Sequence, residues 1–358
     1  MGPSDADYED YGDRLEAPFV RNGDQPDPGL ISACSLRRVV AGALIFSVGW
    51  VLLSRGQSEE VPSSHLNFEM ASAGNRPVLL LHGLSETSRN MASLASWIGE
   101  ARPGVKVMPL AVYEGPESFL ALPVQVDGVV SAIREIVKKD PDSFNGGYDL
   151  VCFSQGALIC RVVCQVMDDH RVHTLISLAG PQLGIYGSAW LSLFGSAPEI
   201  SIAALMGAQS FHSLAYNQVS QSANSIFNLW NDPLHQDEFL AGNAFLPMVN
   251  GLSGPVPAGM LANFKRVQRA VFLAGHMDET SDGVLEPWNS GVFGYFAKGS
   301  DSQIQAMSEQ DFFEKDTFGL KTLNDTGRLH LEAVSGVRHG DWTHSRDVFK
   351  AHVLQHLS

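Results

Sequence analysis

From Arg76 onward the chain alternates short apolar runs with stretches whose apolar residues recur at helical spacing, the pattern of βα units that build a parallel sheet. Pro77 to His82 (PVLLLH) carries no interior polar residue, as a strand covered on both faces requires. Helical patterns follow near 88–100 and 118–139, with a strand expected over Val105–Leu110 between them. Tyr148–Phe153 (YDLVCF) is the next strand, and Gln155 to about Asp169 reads as helix. Val172–Leu178, Ala270–Ala274 and Arg328–Val334 read as further strands, and a last helix is expected over about 342–357. Between about 184 and 266 the alternation stops. The chain there is rich in Leu, Phe, Met, Ala and Ser at helical spacing, which predicts a helical cap inserted into an otherwise mostly parallel α/β fold.

Ahead of this pattern, residues 1–36 are rich in Asp, Glu, Gly and Pro and have few large apolar side chains to offset the entropy of ordering, so an acidic disordered tail is expected. Arg37 and Arg38 then precede an uncharged run from Val39 to Leu53, closed by Ser54 and Arg55. The run is short for a straight bilayer span, which needs about 20 residues, and matches the upper limit of a signal-peptide core. Residues 37–56 therefore read as a signal anchor or a cleaved signal peptide, a buried helix being the third reading. The two arginines before the run favour translocation of everything after it. Membrane association through 39–53 is the expectation if the segment is retained, and 57–358 is the folded domain.

Composition narrows the function. A chain of 358 residues with 44% hydrophobic and 18% charged residues has material for a large core. Its formal charge of −15 argues against nucleic-acid binding, which depends on clustered Lys and Arg. Of the cysteines, Cys34, Cys152, Cys160 and Cys164, the last three surround one motif. They are too few and too clustered for a disulfide framework. Cys160 and Cys164, four apart on one helix face, read as small core residues.

That motif carries the chemistry. Residues 152–156, Cys-Phe-Ser-Gln-Gly, sit at a strand-to-helix junction and match the nucleophile elbow of α/β-hydrolases, with Cys152 at the position usually held by glycine. The sharp turn exposes the serine, and only small neighbours fit two residues to either side. Ser154 is the expected nucleophile. His82-Gly83 ends the earlier strand where such folds place the oxyanion loop, so the backbone N–H groups of Leu84 and Gln155 are the expected oxyanion donors. A serine hydroxyl needs a base, and the base needs an orienting carboxylate. In this fold the order is Ser, acid, His. His339, in the loop Ser335-Gly-Val-Arg-His-Gly after the final strand, is the expected base; His344 lies five residues on, and His82 reads as structural. The acid is Asp282 or Asp278, with Glu279 and Glu286 in the same loop and Asp282 preferred because Asp282-Gly-Val-Leu-Glu-Pro resembles a hydrolase acid turn. A metal centre on His339, Asp341 and His344 is the rival mechanism, but its spacing fits no zinc motif, so neither metal nor cofactor is expected.

Several blocks in one order resemble the palmitoyl-protein thioesterases: Leu-Leu-His-Gly-Leu (80–84), Phe-Ser-Gln-Gly (153–156), Trp-Asn-Asp-Pro (230–233) with Asp-Glu-Phe-Leu (237–240), Asp282 to Pro287, Phe-Gly-Tyr-Phe (293–296), Phe-Gly-Leu-Lys-Thr-Leu (318–323) and Gly336-x-x-His339. The family's second branch, which prefers less bulky acyl thioesters, is nearer through Trp288 and the 318–323 block. The resemblance implies hydrolysis of long-chain acyl thioesters, S-acylated proteins as substrates, Ser154, Asp282 and His339 as catalytic residues, and a lysosomal or endomembrane lumen as the compartment. The chain departs from the family in lacking its disulfide-forming cysteine pairs and in its acidic tail. Asn324-Asp-Thr is its N-glycosylation sequon. An acyl groove needs apolar lining; Leu193, Phe194, Met206, Phe211, Phe227, Phe245 and Met248 either supply it or form the insertion's own core. A lipase or esterase on oxygen esters, and a catalytically silent binding protein of the same fold, are the alternative functions.

Overall fold

The computed structural model describes residues 76–187 and 208–357. The acidic tail, the apolar run 39–53 and the groove candidates Leu193, Phe194 and Met206 lie outside the described residues. The strands are β1 (Val78–Leu81), β2 (Val107–Pro109), β3 (Tyr148–Phe153), β4 (Val172–Leu178), β5 (Arg269–His276), β6 (Tyr295–Phe296), β7 (Ile304–Gln305) and β8 (Leu329–Ser335). Six of them form one parallel sheet in the order β2-β1-β3-β4-β5-β8, while β6 and β7 pair as a small antiparallel ribbon.

Alternation along each strand feeds two cores. Leu79, Leu81, Leu150 and Cys152 face one side, with helices α2 (Leu122–Lys139) and α3 (Gln155–Val166) and the insertion. Val78, Leu80, Val151 and Phe153 face the other, against Leu94 and Ile98 of α1 (Ala92–Ala101) and Trp342, Phe349 and Val353 of the C-terminal segment. This helix-sheet-helix layering is the α/β-hydrolase fold. Between β4 and β5 the regular elements of the described residues are helices, from Ala208–Ala215 to Ala258–Phe264, with an isolated parallel bridge between Ile185 and Trp230. Phe211, Phe227 and Phe245 are buried there, Phe211 stacking on Phe227 with ring centroids 5.6 Å apart and meeting Trp230 edge-on at 4.7 Å. These rings are continuous with the core that covers the Leu79 face of the sheet.

The expected continuous helix over 342–357 is broken. Ser345 is extended (φ −100°, ψ 114°) and separates Asp341–His344 from a further helical turn at Arg346–Val348, whose Val348 N–H its side chain accepts.

Burial sets one pH dependence. His170, 5% exposed, faces the Asn263 carbonyl with Nε2 (2.9 Å) and accepts the Val172 N–H at Nδ1 (3.3 Å), an arrangement that suits the neutral ring. Desolvation lowers its pKa to about 4. The unfolded chain, with an ordinary histidine pKa near 6.5, takes up this proton first, so the contribution is complete above that pH and is lost as pH falls toward 4. Denaturant melts are expected to show a loss of up to about 3 kcal/mol from this site between pH 7 and 4, and a shallower acid slope in His170→Asn.

Candidate active site

The turn from β3 into α3 holds Ser154 at φ 53°, ψ −128°, a conformation that L side chains rarely adopt and that only the surrounding structure can maintain. Its N–H is anchored on the Leu178 carbonyl at the end of β4 (2.8 Å). Gly156 allows α3 to lie against β1: a Cβ there would sit 2.3 Å from the His82 carbonyl oxygen and 3.0 Å from Leu81 Cγ.

Cys152 corrects the sequence reading. It is bonded to Cys160, Cα to Cα 6.5 Å, so β3 and α3 are stapled across the elbow, and Cys164 is the one free cysteine among the described residues, its thiol pKa pushed up to about 12 by burial. The helical spacing of Cys160 and Cys164 concealed this pair, because the true partner of Cys160 lies eight residues back on a different element. The chain thus holds a disulfide at the elbow, where small unbonded core residues were expected.

His339 lies in the loop that follows β8. Its Nε2 is 2.9 Å from Ser154 Oγ and its Nδ1 is 2.7 Å from Asp282 Oδ2. With Nδ1–H donating to the carboxylate, Nε2 presents a lone pair to the serine O–H. A second tie, His339 N–H to the Asp282 carbonyl (3.0 Å), fixes the two loops together. Asp282 is 1% exposed, and its Oδ1 accepts the N–H groups of Val284 (3.0 Å) and Leu285 (2.7 Å). The Phe153 ring packs on the imidazole, centroids 5.0 Å apart.

Asp278, four residues before Asp282, faces elsewhere. Its Oδ1 accepts from Thr280 N (2.8 Å), Ser281 N (2.8 Å) and Thr280 Oγ1 (3.0 Å), bonds that hold its carboxyl below the usual carboxylate range. It caps its own exposed turn.

The loop after β1 closes over the serine: a Cβ on Gly83 would lie 3.0 Å from Ser154 Cβ. Gln155 opens α3, so its N–H has no intrahelical acceptor. His82 is turned away, its Nδ1 and Nε2 facing the carbonyls of Gly83 (2.9 Å) and Val112 (3.1 Å). The three residues considered as metal ligands do not converge. His339 is engaged as above, His344 Nδ1 faces Thr343 Oγ1 (2.8 Å) and Gly340 O (3.0 Å), and Asp341 Oδ2 accepts the Arg338 N–H (2.8 Å). The His and Glu groups with metal-ligating spacing among the described residues, His212/His235/Glu238 and His330/Glu332/His356, include no residue of this site.

Sequence reasoning missed Ser118 and Gln125, which the fold brings against the side chain of Gln155 through bonds described below. Nothing in their local pattern marks them.

Comparison with known proteins now bears on this geometry. A family model described as palmitoyl protein thioesterase matches residues 77–339. The chain belongs to that family. Its relatives include the lysosomal thioesterase PPT2 of Rattus norvegicus, 34% identical over 288 residues that cover 79% of this chain and 88% of that protein. The human protein of the same name is 34% identical over 291 residues, 80% of this chain and 89% of that one. A Drosophila melanogaster homologue of PPT2 is 32% identical, covering 80% and 93%. The matched span runs from the residue before β1 to His339 and so contains every residue placed around Ser154 above.

Proposed function

We propose that the protein hydrolyses long-chain fatty acyl thioesters through an acyl-enzyme on Ser154, with His339 as general base and Asp282 as the carboxylate that orients it. The observation that carries this reading is the 2.9 Å contact of Ser154 Oγ with His339 Nε2 inside a chain of a thioesterase family. His339 takes the hydroxyl proton as Oγ attacks the thioester carbonyl, and the Leu84 and Gln155 N–H groups hold the resulting oxyanion. Collapse breaks the C–S bond, and the His339 imidazolium returns its proton to the departing thiolate. Water, deprotonated by His339, then attacks the acyl-serine, releases the fatty acid and restores Ser154. S-acylated proteins are the proposed substrates.

The relatives are named as lysosomal, and a lysosomal lumen is proposed here too; Asn324 of the sequon is exposed, as lumenal glycosylation requires. No helix among the described residues is long and apolar enough to cross a membrane.

A fluorophosphonate probe is expected to label the wild type and not Ser154→Ala, and acyl thioesters of increasing length should compete with rising potency. Each added methylene is worth up to about 0.8 kcal/mol until the groove is filled. Labelling that persists in Ser154→Ala, or an unlabelled wild type, would sink the assignment. A matched oxygen ester hydrolysed faster than its thioester would replace thioesterase with esterase.

A further inference from the structure

The two proposed oxyanion donors come from separate parts of the chain, and one buried residue is bonded next to both. Ser118, 1% exposed, lies in the short 3-10 helix Gly115–Phe119. Its Oγ accepts the N–H of Ser85 (2.7 Å), the residue after Leu84, and donates to the Gly115 carbonyl (2.5 Å). Its carbonyl accepts Gln155 Nε2 (2.8 Å), Gln125 Nε2 (2.8 Å) and Ser225 Oγ (3.3 Å). The Gln155 amide also reaches Gln125 Oε1 at 3.2 Å. Further ties bind the same two segments: Gly115 N–H to the Glu86 carbonyl (2.7 Å), and Ser88 N–H to Glu114 Oε1 (2.8 Å).

Ser85 stands at φ 62°, in the left-handed region, so its peptide needs an external partner to keep its orientation. Ser118 Oγ is that partner. We propose that Ser118 is a positioning residue that fixes the spacing of the Leu84 and Gln155 N–H groups, its hydroxyl holding the loop after β1 and its carbonyl holding the first residue of α3. The proposal rests on the Ser154 acyl-enzyme reading. Donor geometry of this kind matters most when charge develops on the carbonyl oxygen, so a loosened hole weakens the transition state more than substrate binding.

The test is Ser118→Ala, which removes one oxygen and leaves the carbonyl, assayed with a long-chain acyl thioester. A fall in kcat of about 10- to 100-fold is expected, with KM within about twofold. A long-chain alkyl trifluoromethyl ketone, which a serine nucleophile converts to an oxyanion hemiketal, should bind more weakly by the same factor. Ser118→Thr, which keeps the acceptor oxygen, should recover most of the loss. Should Ser118→Ala not fold, Gln155→Met, which cannot donate to the Ser118 carbonyl, is expected to show the same split. A folded variant with wild-type kcat, a kcat loss without loss of ketone affinity, or a Thr variant as impaired as Ala would overturn the positioning role. Fluorophosphonate labelling run beside these assays separates the two failures. An unlabelled wild type removes the acyl-enzyme reading itself, whereas a labelled wild type with an unaffected Ser118→Ala removes only the role of Ser118.

Discussion

His339→Ala is expected to lower kcat for a long-chain acyl thioester by about 10⁴-fold or more, with KM little changed. The magnitude follows from the geometry. His339 Nε2 lies 2.9 Å from Ser154 Oγ, and in the proposed mechanism this one ring takes the serine proton and delivers it to the leaving thiolate. Without it the hydroxyl attacks undissociated, and only the oxyanion donors and substrate binding remain to accelerate the reaction. Steady-state assays with a pre-steady-state burst check this: the wild type should show acyl-enzyme accumulation or fast turnover, and the variant neither. Activity within tenfold of wild type in a folded His339→Ala protein would mean that another group serves Ser154 and would remove His339 from the mechanism.

Gly156→Ala tests the other requirement, that the elbow be held against β1. The new methyl would lie 2.3 Å from a backbone oxygen, that of His82, which no side-chain rotation can relieve, so either α3 or the loop after β1 must move. Overpacking of this kind typically costs about 1–3 kcal/mol, and a backbone obstacle places the expectation at the upper end. The displaced elements carry Ser154, Gln155 and Gly83, so activity should fall beyond what the lost stability explains. Gly259→Ala is the control. No atom lies within 4 Å of the Cβ it would add in the helix Ala258–Phe264, and a gain of about 0.5–1 kcal/mol is expected from the lower entropy of the unfolded chain. Urea melts and thioester assays on both variants decide the matter. Equal behaviour of the two would show that the elbow tolerates movement.

What could be read from the residues alone is what depends on near neighbours. Tyr148–Phe153 and Val172–Leu178 stand where the apolar runs put them, because a strand covered on both faces is mainly apolar, with few polar residues such as Asp149, Thr174 and Ser177. Ser154 was legible for a related reason: a strand, a sharp turn and a helix with small residues at fixed offsets are a local constraint.

The choice between Asp282 and Asp278 was not of that kind. Both are aspartates in one loop, and only the approach of the β8 loop shows that one carboxylate meets His339 while the other caps its own turn. The Cys152–Cys160 bond was hidden because it joins a strand to a helix across a reversal of direction, where helical periodicity no longer applies. Phe211, Phe227 and Phe245 look alike as groove lining or core in the sequence, and only the structure shows that they are buried. Ser118 shows the limit best. Its hydroxyl and carbonyl matter through partners 33 and 37 residues away, and such hydrogen bonds leave no period or spacing in the chain that makes them. The sequence by itself determined most of the elements and the sharp turn at Ser154, because these depend on side-chain pattern and backbone sterics over a few residues. The tertiary structure alone decided which polar atoms face one another, because that depends on how loops distant in sequence converge at the end of the sheet.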